Sequence, residues 1–198
     1  MVTPDLTPRL TSALAQPGRA SSDYDLNRDV TLPEGRKLTP AAVLVAFRAG
    51  TGQLILTRRS ARLKHHPGQI AFPGGKQDPG DPTPEAAALR EAQEEIGLDP
   101  GQVRVLGNMP AHETVTGFCV TPVLALVDGD FDPVPEAGEV SEVFEVPWDH
   151  VMDPQNYLVQ SRFWRGSERF YFTVPYGPYY IWGATARILR ALADRVTE

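Results

Sequence analysis

Apolar residues fall along the chain into short β-branched runs and a few stretches of helical period. Leu6, Leu10 and Leu14 recur every four positions, which predicts a short helix over 4–15. The segment that follows, QPGRASSDYDLNRDVTLPEGRK, is polar and rich in turn formers, so it reads as a linker or an arm lying over the domain. Residues 1–37 are therefore expected to form a helix and arm, and 38–198 the folded unit. Runs at 41–48 and 53–59, separated by Ala49-Gly50-Thr51-Gly52, predict a β-hairpin.

A glycine-rich loop, Phe72-Pro73-Gly74-Gly75, leads to a well-marked helix over 84–96. Thr83 is a good N-cap, Pro84 suits the first helical position, Glu85 complements the dipole, and Gly97 and Pro100 end the element. Strand-like runs follow at 103–106, 118–127 and 140–146, and the pieces 163–164 and 170–174 are expected to pair as a hairpin. A last helix over 183–196 carries an apolar stripe of Ile188, Leu189, Leu192 and Val196, the pattern of a core-packing face. This order of strands and helices predicts a mixed α/β (α+β) fold.

Composition narrows the setting. With 19 Lys+Arg against 25 Asp+Glu in 198 residues, the formal charge of −6 argues against broad binding to nucleic acid or to an anionic membrane. No run approaches the ~20 apolar residues of a membrane span, and the first ten residues lack the apolar core of a signal peptide, so the cytoplasm is the expected compartment. Cys119, the single cysteine, lies in an apolar run and is expected to be a buried thiol. The acids are unevenly spread: seven fall between Asp128 and Glu145, a stretch expected to be an exposed loop as far as its strand.

The helix over 84–96 concentrates the chemistry. Glu91, Glu94 and Glu95 stand at i, i+3 and i+4 and share one face, while Ala88, Leu89, Ala92 and Ile96 can pack on a sheet. Three like charges repel, and a hard divalent cation such as Mg²⁺ or Mn²⁺ would offset them through oxygen ligands. A solvated acidic helix face is the plainer reading of the glutamates alone. A glycine pair just upstream, permissive for close backbone approach to phosphate, shifts the balance towards metal-assisted chemistry on a phosphate ester or anhydride.

Gly75 through Leu98, GKQDPGDPTPEAAALREAQEEIGL, resembles the signature box of the Nudix hydrolases. Gly75, Arg90, Glu91, Ala92, Glu94, Glu95, Gly97 and Leu98 match that pattern. Asp81 stands where the family has its first glutamate, eight residues rather than seven before Arg90. Upstream, LILTRRSARLKHHPGQIAFPGG is similar to the extended motif of the coenzyme A pyrophosphatases within the family, with Leu56, Thr57, Arg59, Ser60, Gly68, Phe72, Pro73, Gly74 and Gly75 at the expected spacing. Lys64 replaces an arginine there and lacks its bidentate fork.

The resemblance implies a mixed β-sheet sandwiched between α-helices, with Glu91, Glu94 and Glu95 holding Mg²⁺ or Mn²⁺. It implies hydrolysis of the diphosphate of coenzyme A to 4′-phosphopantetheine and adenosine 3′,5′-bisphosphate. Arg90 is expected to orient a neighbouring glutamate; the general base is Glu94 or Glu95 in the box, or Glu139 or Glu142 in the acidic stretch. Arg58, Arg59, Arg62 and Lys64, four cations within seven residues, are candidates for the substrate's phosphates, together with Gly74 and Gly75. Two other readings remain open: a Nudix pyrophosphatase for another nucleoside-diphosphate derivative such as NADH or ADP-ribose, and a non-catalytic ligand-binding module. Tyr176 to Gly183 adds aromatics that either pack in the core or line a substrate pocket.

Overall fold

Two ten-residue strands made largely of Val, Leu, Ala and Phe form the spine of the protein. A computed structural model describes residues 5–27, 29, 30, 32, 35–164 and 166–197. In chain order the elements are α1 (Thr7–Ala15), β1 (Ser21–Ser22), β2 (Thr39–Arg48), β3 (Gln53–Arg59), β4 (Ile70–Ala71), β5 (Gly74–Lys76), α2 (Pro84–Ile96), β6 (Val103–Asn108), β7 (His112–Glu113), β8 (Phe118–Val127), β9 (Val140–Pro147), α3 (Trp148–Val151), β10 (Leu158–Trp164), β11 (Ser167–Thr173) and α4 (Ala184–Thr197). Strands β2 and β8 run parallel in unbroken register from Thr39↔Phe118 to Arg48↔Val127. The sheet around them is mixed, in the order β1-β7-β8-β2-β3-β4, with β5 on β2, β6 on β8 and β9 on β3.

Alternation along the spine divides the core in two. Ala42, Leu44 and Ala46 of β2, with Val123, Ala125 and Val127 of β8, meet Ala88, Ala92 and Ile96 of α2 on one face. Val45, Phe47, Leu124 and Leu126 face the other way, onto Leu6 and Leu10 of α1, Trp148 and Val151 of α3, and Ile188, Leu189 and Leu192 of α4. The mixed sheet thus lies between helices, as expected. Pro4, included in the expected first helix, lies outside the described residues.

Several details depart from the sequence reading. The β2–β3 hairpin is registered only at Phe47↔Leu54, after which the strands splay and β4 and β5 pair separately with β3 and β2. That splay brings the glycine loop against β2. Cys119, expected to be buried, is only partly so at the start of β8, whereas Glu142 and Glu145 lie in β9, within the strand expected over 140–146. The C-terminal hairpin is longer than its aromatic pieces indicated, pairing Leu158↔Thr173 through Trp164↔Ser167.

The arm is tied to the sheet. Ser21 and Ser22 pair in parallel with His112 and Glu113. The fully buried His112 ring has Nδ1 2.9 Å from Ser21 Oγ and Nε2 3.2 Å from Asp23 Oδ1. Asp25 meets Arg187 of α4 at 2.6 Å, and the Asn27 amide exchanges two hydrogen bonds with the Phe170 backbone.

Candidate active site

Helix α2 starts and stops where local chemistry dictates, and this fixes the direction of its glutamates. The Thr83 hydroxyl accepts from Ala86 N–H at 3.2 Å, and Gly97 closes the helix in the left-handed region with φ of 72°. Burial of the alanine face against β2 and β5 turns Glu91 and Glu95 inwards along the glycine loop. The three carboxylates then differ sharply. The Glu95 side chain is 5% exposed, that of Glu91 17% and that of Glu94 61%.

Glu95 Oε2 accepts the Gly74 N–H at 3.1 Å, and its Oε1 lies 4.0 Å from the Arg59 guanidinium. Burial pushes the Glu95 carboxyl up to about 7; the Gly74 N–H and the Arg59 charge pull the other way, while Glu91 and Glu139 reinforce the rise. Glu91 is also raised, first by burial, with Glu94 and Glu139 adding to it and Arg90 opposing. Carboxylates that crowd each other and leave water form a set of hard oxygen donors whose charge the protein only partly balances. That donor chemistry fits Mg²⁺ or Mn²⁺. Among the described residues no three such side chains already converge at ligating distance, because Arg90 draws two of the glutamates aside.

Arg90 is the hub of the outer side. Its Nε and Nη2 grip the Asp81 carboxylate in a bidentate pair at 3.1 and 2.9 Å, its Nη1 lies 3.0 Å from both Glu91 and Glu94, and Nη2 also donates to the Lys76 carbonyl. Asp81, whose side chain is 7% exposed, also accepts the Asp78 N–H at 2.8 Å. Its carboxyl is held below the usual range, first by the hydrogen bond from Arg90 and then by the Asp78 N–H. The residue that departs from the box pattern therefore anchors Arg90.

Both glycines are required by close contacts inside the fold. A Cβ at Gly74, where φ is +151°, would stand 2.4 Å from the Ala42 carbonyl oxygen of β2. One at Gly75 would stand 2.6 Å from the Glu91 carboxylate. The Gly74 N–H is engaged by Glu95.

The acidic stretch reaches this centre through the end of α2. Val134 N–H and Glu136 N–H donate to the carbonyls of Ile96 and Glu95 at 2.9 and 2.8 Å, taking up orphan acceptors of the last turn. Ser60 N–H donates to the Glu139 carbonyl at 2.7 Å. Glu139 is consequently near enough to raise both Glu91 and Glu95, whereas Glu142 is elsewhere: it pairs with Arg58 at 3.1 Å and accepts from the Tyr179 hydroxyl at 2.6 Å.

The basic run is split in the same way. Arg59 lies on the α2 face of β3 and Arg58 on the opposite face, because neighbouring strand residues point apart. Arg62 and Lys64 are exposed on the following loop. Near them, His66 has a φ of 53°, and its imidazole is lowered, first by burial and then by Arg59. Sequence reasoning missed the role of Asp81 as a clamp and the docking of the 134–139 segment on α2; the spacing of Asp81 before Arg90 was the only available signal for the first.

Comparison with known proteins bears on this arrangement. Residues 37–169 match the family model described as the NUDIX domain. The chain is 42% identical over 176 residues to the Uncharacterized Nudix hydrolase NudL of Citrobacter koseri, covering 88% of this chain and 92% of that one. It is 41% identical over 157 residues to the protein of the same name from Escherichia coli, covering 79% and 82%. Among solved structures, the MutT protein of Methanosarcina mazei Go1 superposes with a TM-score of 0.52 at 20% identity, over 84% of this chain and 99% of that one, a likeness of fold.

Proposed function

From the premise that the chain belongs to the Nudix hydrolase family, we propose that it hydrolyses the diphosphate bond of coenzyme A, releasing 4′-phosphopantetheine and adenosine 3′,5′-bisphosphate. The observation that carries the reading is the buried Glu95, held between the Gly74 N–H and Arg59, with Glu91 and Glu139 crowding it. Carboxylates kept out of water and pushed towards their neutral forms serve no packing purpose; they suit a centre that gathers positive charge and activates water. The segment from Leu54 to Gly75, similar to the coenzyme A-specific motif, delivers both Arg59 and Gly74 to that centre, and this supports the substrate.

Glu91 and Glu95, with Glu94 at the rim, would hold Mg²⁺ or Mn²⁺. Bound there, such an ion supplies charge neutralisation of the diphosphate and lowers the pKa of a coordinated water. Arg90, anchored by Asp81, sets where the Glu91 and Glu94 carboxylates stand. Arg59 lies beside the buried glutamate and adds a fixed positive charge for a phosphoryl oxygen. Glu139, exposed and adjacent to the buried pair, accepts the proton of the attacking water. One water is consumed: its oxygen bonds to phosphorus, the bridging P–O bond breaks, and the bridging oxygen leaves on the departing phosphate.

Purified protein with Mg²⁺ or Mn²⁺ should convert coenzyme A to the two named products in preference to NADH and ADP-ribose. Glu95→Gln should lose most of that turnover. A clear preference for either competitor would overturn the substrate, and equal rates for the variant would remove Glu95 from the metal centre.

A further inference from the structure

On the face of β3 away from α2 lies a cleft of about 410 Å³, a size typical of small-molecule sites. Its walls combine the end of β3 and the 66–70 turn with Arg162 of β10 and the aromatic segment before α4. In a chain of net charge −6, no carboxylate is among the lining residues, while Arg58, Arg162 and His66 are. Behind the wall, Glu142 receives Arg58 and the Tyr179 hydroxyl and holds both in place.

The aromatic side is ordered for stacking. Arg162 lies 4.6 Å over the Trp182 ring, Tyr171 meets the edge of Trp182 at 5.2 Å, and Tyr180 sits 6.5 Å from it at 35°. Tyr179 stacks at 3.6 Å on Phe144, so it is a fixed wall, whereas Tyr180 is 42% exposed.

The cleft is also within reach of the catalytic centre. Arg58 faces it and Arg59 faces Glu95 from the next position of the same strand. Ile70, on the cleft floor, is four residues before Gly74, a span of at most about 14 Å.

We infer that this cleft holds the nucleoside end of the substrate, a purine base stacked at Tyr180 and Trp182 with its ribose phosphate at Arg162 and Arg58. The inference rests on the diphosphate-hydrolase reading above and adds to it which half of the substrate lies on which side of β3. A pantetheine arm is uncharged and has no ring, so it makes no use of paired arginines or aromatic faces. A phosphorylated nucleoside uses both, since base–aromatic stacking and charge-assisted phosphate bonds are each worth about a factor of ten or more in affinity.

The test is calorimetric titration of the metal-free protein with adenosine 3′,5′-bisphosphate, 5′-AMP and 4′-phosphopantetheine, alongside Arg162→Gln and Tyr180→Ala. Both side chains are exposed, and thermal melts verify that the variants fold. The bisphosphate should bind at least tenfold more tightly than 5′-AMP. Arg162→Gln should erase that preference, and Tyr180→Ala should weaken both nucleotides about fivefold or more. Unchanged bisphosphate affinity in both variants, or a loss confined to 4′-phosphopantetheine, would overturn the assignment. Turnover separates the two readings: a wild type that leaves coenzyme A intact defeats the substrate while the titrations still judge the cleft, and a wild type that cleaves it while the variants bind normally defeats the cleft alone.

Discussion

Replacing Glu95 by glutamine should stabilise the metal-free protein above pH 7 and, under the proposed function, should also remove most hydrolysis. The Glu95 carboxyl rises from an ordinary 4.5 to about 7 in the fold, chiefly through burial. Below about pH 4.5 the side chain is neutral in both folded and unfolded chains and carries no penalty. Between 4.5 and 7 the unfolded chain ionises while the folded one resists, so folding stability falls as pH rises, and above 7 the full penalty stands. A rise of that size corresponds to about 3 kcal/mol. Glutamine keeps an oxygen for the Gly74 N–H but never ionises, so it escapes this penalty. For a chain of this length the gain amounts to about 6–12 °C in Tm. Thermal unfolding in a chelator, wild type beside Glu95→Gln at pH 4.5, 6 and 8, reads the difference directly. The variant's advantage should grow with pH, and Mn²⁺ should raise the wild type at pH 8 and leave the variant nearly unmoved. A pH-independent difference, or a variant less stable than wild type at pH 8, would refute the burial of an ionising Glu95.

Gly75→Ala should leave Tm close to wild type but reduce kcat about 100-fold, because the Glu91 carboxylate must retreat from 2.6 Å to an ordinary 3.4 Å or more, a shift of about 0.8 Å. Gly74→Ala meets backbone instead and should lower Tm strongly; wild-type kinetics for Gly75→Ala would mean that Glu91 is not where hydrolysis needs it. Glu139→Gln should lower kcat by about 10²–10⁴, while Glu142→Gln, bonded to Arg58 and Tyr179, should act mainly on KM. Comparable kcat for wild type and Glu139→Gln would move the base elsewhere.

What could be read from the sequence was mostly what is decided locally. The limits of α2 follow from Thr83, Pro84 and Gly97, and the structure places the helix at Pro84–Ile96. The face of Glu91 and Glu95 follows from its period, but their unequal burial does not, since that depends on the splay of β2 and β3 around the glycine loop. The 134–139 segment is decided by distant partners, the last carbonyls of α2, and its composition indicates only an exposed acidic loop. Likewise His112 carries no mark in its own neighbourhood that it will pin an arm ninety residues upstream.

Charge clusters read from sequence obey the same physics, with opposite results on the two kinds of element. Residues three and four apart on a helix converge, so Arg90 and Glu94 become true neighbours at 3.0 Å. Adjacent residues on a strand diverge, so the compact run Arg58-Arg59 serves two sites: Arg59 beside Glu95 on one face, Arg58 beside Glu142 and the aromatic cleft on the other. That partition was already implicit once 53–59 was read as a strand. Under the proposed function, a substrate with charge at two separated places would meet positive groups on both faces of one strand, Arg59 on the side of Glu95 and Arg58 on the side of the cleft.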